Sequence, residues 1–166
     1  MNIKESSQDN SEKNVFQALF PELKKVKDNQ RSLVLITHGF IELLLNSIID
    51  NKCKLGKKKI TASSRDYPHS VKLVLLYELN YIDKQLYQIL DRFRKVRNEA
   101  AHEPLFQIKE ADSSFFNQSL ERFIAGESKR KPNNLYHFCI LLIGTIWNEN
   151  LDIFMPKFLP NMVKEE

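Results

Sequence analysis

Apolar side chains recur along this chain at three- and four-residue spacing, a pattern that predicts helices. The clearest case lies between Asp83 and His102, with Asp83 as a candidate N-cap and Pro104 just beyond the end. Its apolar positions share one face: Leu86, Ile89, Leu90, Phe93, Val96 and Ala100. Residues 29–52 are apolar nearly all round, which is typical of a central helix.

Four weaker stretches complete the predicted helices. Residues 11–20 follow a candidate cap at Ser11, and Pro21 is expected to open a further turn. Residues 70–79 form a helix with Ser70 as its candidate N-cap, and Val71, Leu75 and Leu79 share one face. Residues 113–125 form a modest helix. Residues 135–154 form the last long helix, which Pro156 is expected to stop. The pattern therefore predicts an all-α bundle of about five to six helices.

The domain organisation follows from the polar ends of the chain. Residues 1–10 are polar and are expected to form a disordered arm, and residues 159–166 a charged tail. Residues 11–158 are expected to form a single helical domain, which a chain of 166 residues can support with one core.

Composition excludes several classes of protein. Charged residues make up 28% of the chain and the net charge is +4, which is compatible with nucleic acid as a partner. The two cysteines and four histidines show no zinc spacing, and no glycine-rich phosphate loop appears, so neither a metal nor a cofactor is expected. The N-terminus lacks an apolar signal, and residues 33–49 are interrupted by His38 and Glu42. We therefore expect a cytoplasmic protein that does not span a membrane.

The end of the helix between residues 83 and 102 carries the candidate chemistry. Arg97 falls near the middle of the apolar face, where a permanent charge needs an acidic partner, a wet cleft or a bound anion. Asn98 and His102 are four residues apart and project together on the neighbouring face. Arg94 lies one turn before Asn98 and either extends a basic rim or is an ordinary exposed residue.

Glu42 is a second candidate because it lies on an apolar stripe of the central helix. A carboxylate in that setting needs a partner, and either Arg97 or His38 can supply one. An ion pair of this kind would also hold Arg97 in a productive direction. His69 and His137 have no partner at a helpful spacing, and His137 is expected in the core.

The run Arg97-Asn98-Glu99-Ala100-Ala101-His102 resembles the R-x4-6-H signature of the HEPN superfamily of small helical domains. The segments at residues 28–35, 70–73 and 79–82 look like those of a mannitol-repressor-like branch. The resemblance covers roughly the middle two thirds of the chain. It implies a HEPN-like fold and a homodimer in which two motifs face one cleft.

For function, the resemblance implies a metal-independent endoribonuclease of the toxin or phage-defence type. Arg97 and His102 would be catalytic, with Asn98, Glu42 and Arg94 as supporting residues, and RNA and a cognate antitoxin as partners. The alternative is a non-catalytic transcriptional regulator of the mannitol-repressor type that acts through a regulatory protein. A third interpretation is a partner-binding module with a vestigial motif, in which Arg97 only forms an ion pair and His102 only caps its helix.

Overall fold

A computed structural model describes residues 18–123 and 135–158, and these residues contain α-helices, one π-helical turn and no β-strand. Within these residues, seven α-helices follow in chain order. They are α1 (18–25), α2 (Gln30–Lys52), α3 (His69–Glu78), α4 (Lys84–His102), α5 (Glu110–Phe123), α6 (Leu135–Glu149) and α7 (Leu151–Phe158). The prediction of an all-α chain is confirmed for this part. The predicted arm and the predicted tail lie outside the described residues.

Helix α2 is the centre of the bundle and contacts α3, α4, α6 and α7. It begins after Asn29, whose side chain accepts a hydrogen bond from the Ser32 amide at 2.9 Å and so caps the helix. Its length and composition are sufficient to cross a membrane, and 56% of its most apolar window is buried inside the molecule. The same test is met by α6 and α7 taken as one bent pair.

Helix α4 packs antiparallel against α2, and its apolar face is buried as the sequence predicts. All six predicted positions are in the core: Leu86, Ile89, Leu90, Phe93, Val96 and Ala100. Asp83 caps the helix by accepting from the Leu86 amide at 2.7 Å. At the other end, Arg31 of α2 donates to the carbonyl of Glu103 and, at 2.7 Å, to that of Pro104. The start of α2 therefore holds the end of α4.

Aromatic side chains join α4 to the two helices that follow it. The Phe116 ring lies with its centroid 4.4 Å from that of Phe138 and 5.9 Å from that of Phe93. These three rings connect α4, α5 and α6 in one apolar layer. Helix α5 begins at Glu110, three residues earlier than predicted, and its buried Asp112 pairs with Arg92 of α4.

The end of the bundle differs from the prediction. The last helix is broken at Asn150, where α6 and α7 meet at 99°. Asn150 is buried, its side chain donates to the Ile146 carbonyl at 3.0 Å, and its own carbonyl accepts from the amides of Ile153 and Phe154 at 3.1 Å. Pro156 lies inside α7 and does not stop it, because buried Phe154 and Phe158 hold the helix on either side of the proline.

Helix α3 and the connector before it also correct the sequence-based expectations. The helix begins at His69 without a side-chain cap, so Ser70 is not the N-cap. Its buried positions are Lys72, Leu73 and Leu76, whereas Val71, Val74 and Leu79 are exposed. The connector contains a π-helical turn (Gly56–Ile60), in which Gly56 packs directly against the backbone of Ile49 in α2.

Candidate functional site

The predicted motif residues lie on the last two turns of α4, in different surroundings. Arg97 is partly exposed, and its Nη1 donates to Asn98 Oδ1 at 3.1 Å. His102 is the last residue of the helix and is exposed to solvent. Within residues 18–123 and 135–158, no hydrogen bond joins His102 to Asn98 or to Arg97. Asn98 therefore orients Arg97 in this structure and not His102.

Glu42 does not pair with Arg97 or with His38, which corrects the sequence-based expectation. Its Oε1 lies 3.9 Å from Lys72 Nζ, and that same Nζ donates to Asn46 Oδ1 at 3.0 Å. Lys72 is only 2% exposed and Glu42 33% exposed. The turn of α3 that buries Lys72 places its ammonium against α2, where the Glu42 carboxylate lies beside it. Glu42 thus supports α2–α3 packing and leaves Arg97 without it.

Arg94 lies on the same side of α4 as Arg97 and is held by its own helix. Its Nε and Nη2 donate to Asp91 Oδ1 at 3.1 and 2.8 Å, and Asp91 also pairs with Lys95 at 2.8 Å. Burial of Asp91 opposes ionisation, but hydrogen bonds from Lys95 and Arg94 outweigh it and lower the pKa of this carboxyl. Arg94 is therefore paired within its own helix and partly exposed, since 23% of its side chain is accessible.

The sequence-based interpretation missed a pair of histidines beside the two arginines. The rings of His38 on α2 and His69 at the start of α3 lie with centroids 4.5 Å apart and planes 44° apart. The two residues are far apart in sequence, and only the α2–α3 packing brings them together, so no spacing signal exists. His69 was expected to stand alone and does not, and His137, expected in the core, is exposed on α6.

The electrostatic environment keeps both histidines neutral. Burial, followed by the charges of Arg97 and Arg94, lowers the pKa of His38 from 6.5 to about 4. Burial is also the largest cause at His69, where His38, Lys72 and the two arginines add to it and lower the pKa to about 3. Neutral imidazoles among permanent cations define a site that is rich in hydrogen-bond donors and positive charge.

Comparisons with known proteins identify no relative of this chain. No family model matches the chain, and neither a curated protein nor a solved structure is significantly similar to it.

Proposed function

We propose that this chain is a HEPN-like, metal-independent endoribonuclease of the toxin or phage-defence type. The observation that carries the proposal is the state of Arg97. Its guanidinium is partly exposed, and within the described part of the chain it has no carboxylate partner. A partly exposed guanidinium without a carboxylate keeps most of its donors for water or a bound anion. Arg97 is therefore available to an anion, and His102 is accessible one turn and a half further along α4.

The proposed reaction uses the nucleophile that RNA carries. The 2′-hydroxyl oxygen attacks the adjacent phosphorus while one imidazole takes its proton. The bond from phosphorus to the 5′-oxygen then breaks, and an imidazolium returns a proton to the leaving oxygen. Arg97 stabilises the charge on the phosphoryl oxygens through paired hydrogen bonds. The products are a 2′,3′-cyclic phosphate and a 5′-hydroxyl.

Two copies of His102 satisfy the need for both an acid and a base. The motif supplies one histidine per chain, so we propose a homodimer in which the exposed ends of the two α4 helices face one cleft. The antitoxin partner and the cytoplasmic location belong to this proposal, because a toxin that cleaves RNA acts where RNA is translated and must be restrained.

A non-catalytic regulator that acts through a protein partner is the second candidate. The observation that favours it is the outer face of α3, where Val71 is 43% and Val74 45% exposed. Exposed apolar side chains on adjacent turns of one helix are typical of a surface that contacts another protein. This function needs no chemistry at His102.

The test compares purified wild-type, His102→Ala and His137→Ala proteins on a mixed RNA pool, with and without EDTA. His137 is also an exposed helical histidine, so its replacement is a matched control. We expect the wild type and His137→Ala to produce 2′,3′-cyclic phosphate ends in either buffer and His102→Ala to produce none. Intact RNA with the wild type, or equal cleavage by all three proteins, would reject the ribonuclease and favour the regulator.

A further inference from the structure

The junction of α2, α3 and α4 gathers positive charge around the histidine pair. Arg31 at the start of α2 contacts Glu103 at the end of α4, and the two helices are antiparallel. Seven residues inward from this contact, His38 of α2 is therefore level with Val96 of α4. His38 thus lies level with the stretch of α4 between Arg94 and Arg97. His69 meets His38 from the first turn of α3. Helices α2, α3 and α4 thus converge on the side chains of His38, His69, Arg94 and Arg97.

Two ring nitrogens at this junction lack a partner. His38 Nε2 and His69 Nδ1 are both buried, and neither makes a hydrogen bond within the described residues. His38 is only 3% exposed, so bulk water does not replace the missing partner. Buried polar atoms in native proteins are nearly always hydrogen-bonded, and an unpaired one is costly. The orphan nitrogens indicate a place for a polar ligand.

The charges around the pair select the chemistry of that ligand. The charged and titratable groups of the three helices at the junction are Glu42 and His38 on α2, His69 and Lys72 on α3, and Asp91, Arg94, Lys95 and Arg97 on α4. Glu42 lies beside Lys72, and Asp91 lies beside both Arg94 and Lys95, so Arg97 has no carboxylate among these groups and positive charge is in excess. This excess of positive charge opposes a metal cation and favours an oxyanion, whose geometry matches a guanidinium.

We propose that His38, His69, Arg94 and Arg97 form a binding site for a phosphate group. His38 is the buried member of this group, and His69, Arg94 and Arg97 are partly exposed. The proposal rests on the proposed function only in taking the phosphodiester of RNA as the source of that phosphate. In that case the site holds the phosphate within one subunit while the exposed His102 of α4 carries the chemistry.

Phosphate binding at this site is coupled to uptake of a proton. A neutral imidazole has one donor and one acceptor, whereas an imidazolium has two donors. An oxyanion next to the orphan nitrogens accepts from both rings when they are protonated and partly cancels the field of the arginines. The anion therefore favours the charged imidazoles that burial and the neighbouring cations disfavour.

The test follows the imidazole resonances of the full chain by NMR from pH 3 to 8. One sample contains inorganic phosphate and the other contains sodium chloride at equal ionic strength. We expect phosphate to raise the apparent pKa of His38 and His69 by at least about one unit. Arg97→Gln should weaken phosphate binding at least about tenfold. Lys84→Gln removes an exposed charge at the far end of α4 and should bind phosphate like the wild type.

A third sample contains an oligonucleotide made entirely of 2′-O-methyl nucleotides, which carries phosphodiesters but no nucleophile. Shifts with both phosphate and the oligonucleotide support RNA as the source, and shifts with phosphate alone support a site for a free phosphate. No shift with either ligand, or equal binding by wild type and Arg97→Gln, overturns the site. His69→Asn, at a partly exposed position of the site, gives a second variant with the same expected loss.

The outcome is separable from that of the ribonuclease test. His102→Ala should lose RNA cleavage and keep the phosphate-dependent shifts, because His102 lies outside the four residues of the site. Phosphate binding without cleavage leaves the site standing and rejects the enzyme. Cleavage without phosphate-dependent shifts supports the enzyme and rejects the phosphate site.

Discussion

The imidazole of His38 packs against that of His69 with ring centroids 4.5 Å apart, and each ring keeps a buried nitrogen unpaired. Two ionisable rings in such contact cannot both be charged without strong repulsion. Their proximity to Arg94 and Arg97 adds to this cost. The pair therefore couples the stability of the α2–α3–α4 junction to pH.

We expect the free energy of unfolding to fall as the pH is lowered from 6.5. The unfolded chain takes up protons on its histidines near pH 6.5, whereas in the folded protein the pKa is about 4 for His38 and about 3 for His69. The unfolded state thus binds more protons throughout this window, so stability declines until the pH reaches the folded pKa values. The loss should reach up to about 1.4 kcal/mol per pH unit for each histidine.

Urea unfolding at pH 7, 6, 5 and 4 measures this effect. The double variant His38→Asn, His69→Asn should show a smaller decline between pH 6.5 and 4 than the wild type. An equally steep decline in both proteins would assign the acid sensitivity to other groups.

Lys72 offers a second test, by a double-mutant cycle with Glu42. Removing the carboxylate in Glu42→Ala leaves a buried ammonium with Asn46 alone. Because the pair is 3.9 Å apart and Glu42 is 33% exposed, we expect a loss of about 1–3 kcal/mol. Lys72→Met keeps the volume and removes the charge, so it should lie within about 1 kcal/mol of the wild type. In that background, Glu42→Ala should cost almost nothing.

Thermal and urea unfolding of the four proteins give the coupling energy directly. Additive losses would show that Glu42 does not interact with Lys72. Such a result would reopen the assignment of Glu42 to another cation.

Two glycines provide a matched pair of substitutions with opposite signs. A methyl group on Gly56 would lie 2.2 Å from the Ile49 carbonyl oxygen, a backbone atom that cannot move aside alone. Gly56→Ala should therefore destabilise the protein by about 1–3 kcal/mol. Gly39, in the exposed face of α2, has nothing within 4 Å of the same methyl position. Gly39→Ala should stabilise by about 0.5–1 kcal/mol.

Melting temperatures of the two alanine variants check this prediction. A Gly56→Ala protein as stable as Gly39→Ala would show that the π-helical turn does not pack against α2 as described.

Arg31 provides the fourth test, because it bonds two carbonyls beyond the end of α4. Arg31→Met removes both hydrogen bonds and should cost about 1–2 kcal/mol. We also expect faster amide exchange at the Glu103 amide, which bonds the Glu99 carbonyl in the last turn. Lys27→Met, at an exposed position before α2, is the control. Unchanged exchange in Arg31→Met would exclude a role in holding this turn.

The sequence predicted α4 well and α3 poorly, for physical reasons. Helix α4 has one continuous apolar stripe and a capping aspartate, so local information decides its buried face. Helix α3 has apolar residues on more than one side. Its orientation depends on the polar contact of Lys72 with Asn46, which is formed only when α2 and α3 pack together.

The candidate site was predicted in part for a similar reason. The short spacing of Arg97, Asn98 and His102 on one helix is visible in the sequence, and the structure places all three at the end of α4. The meeting of His38 with His69 is set by tertiary packing, which leaves no periodic signal. Glu42 is predicted to pair with Arg97 or His38, but its neighbour is Lys72, which only the packing of α3 against α2 brings to it.

The contact of Arg31 with the end of α4 has a consequence for the order of the turn that carries His102. The last turn of a helix normally frays, and a side chain there samples many directions. Here Arg31 binds the carbonyls just beyond His102, and Gln30 accepts the Ile108 amide at 3.1 Å. The entropy of ordering this turn is thus lost once, when the chain folds, and not again at each encounter with a ligand.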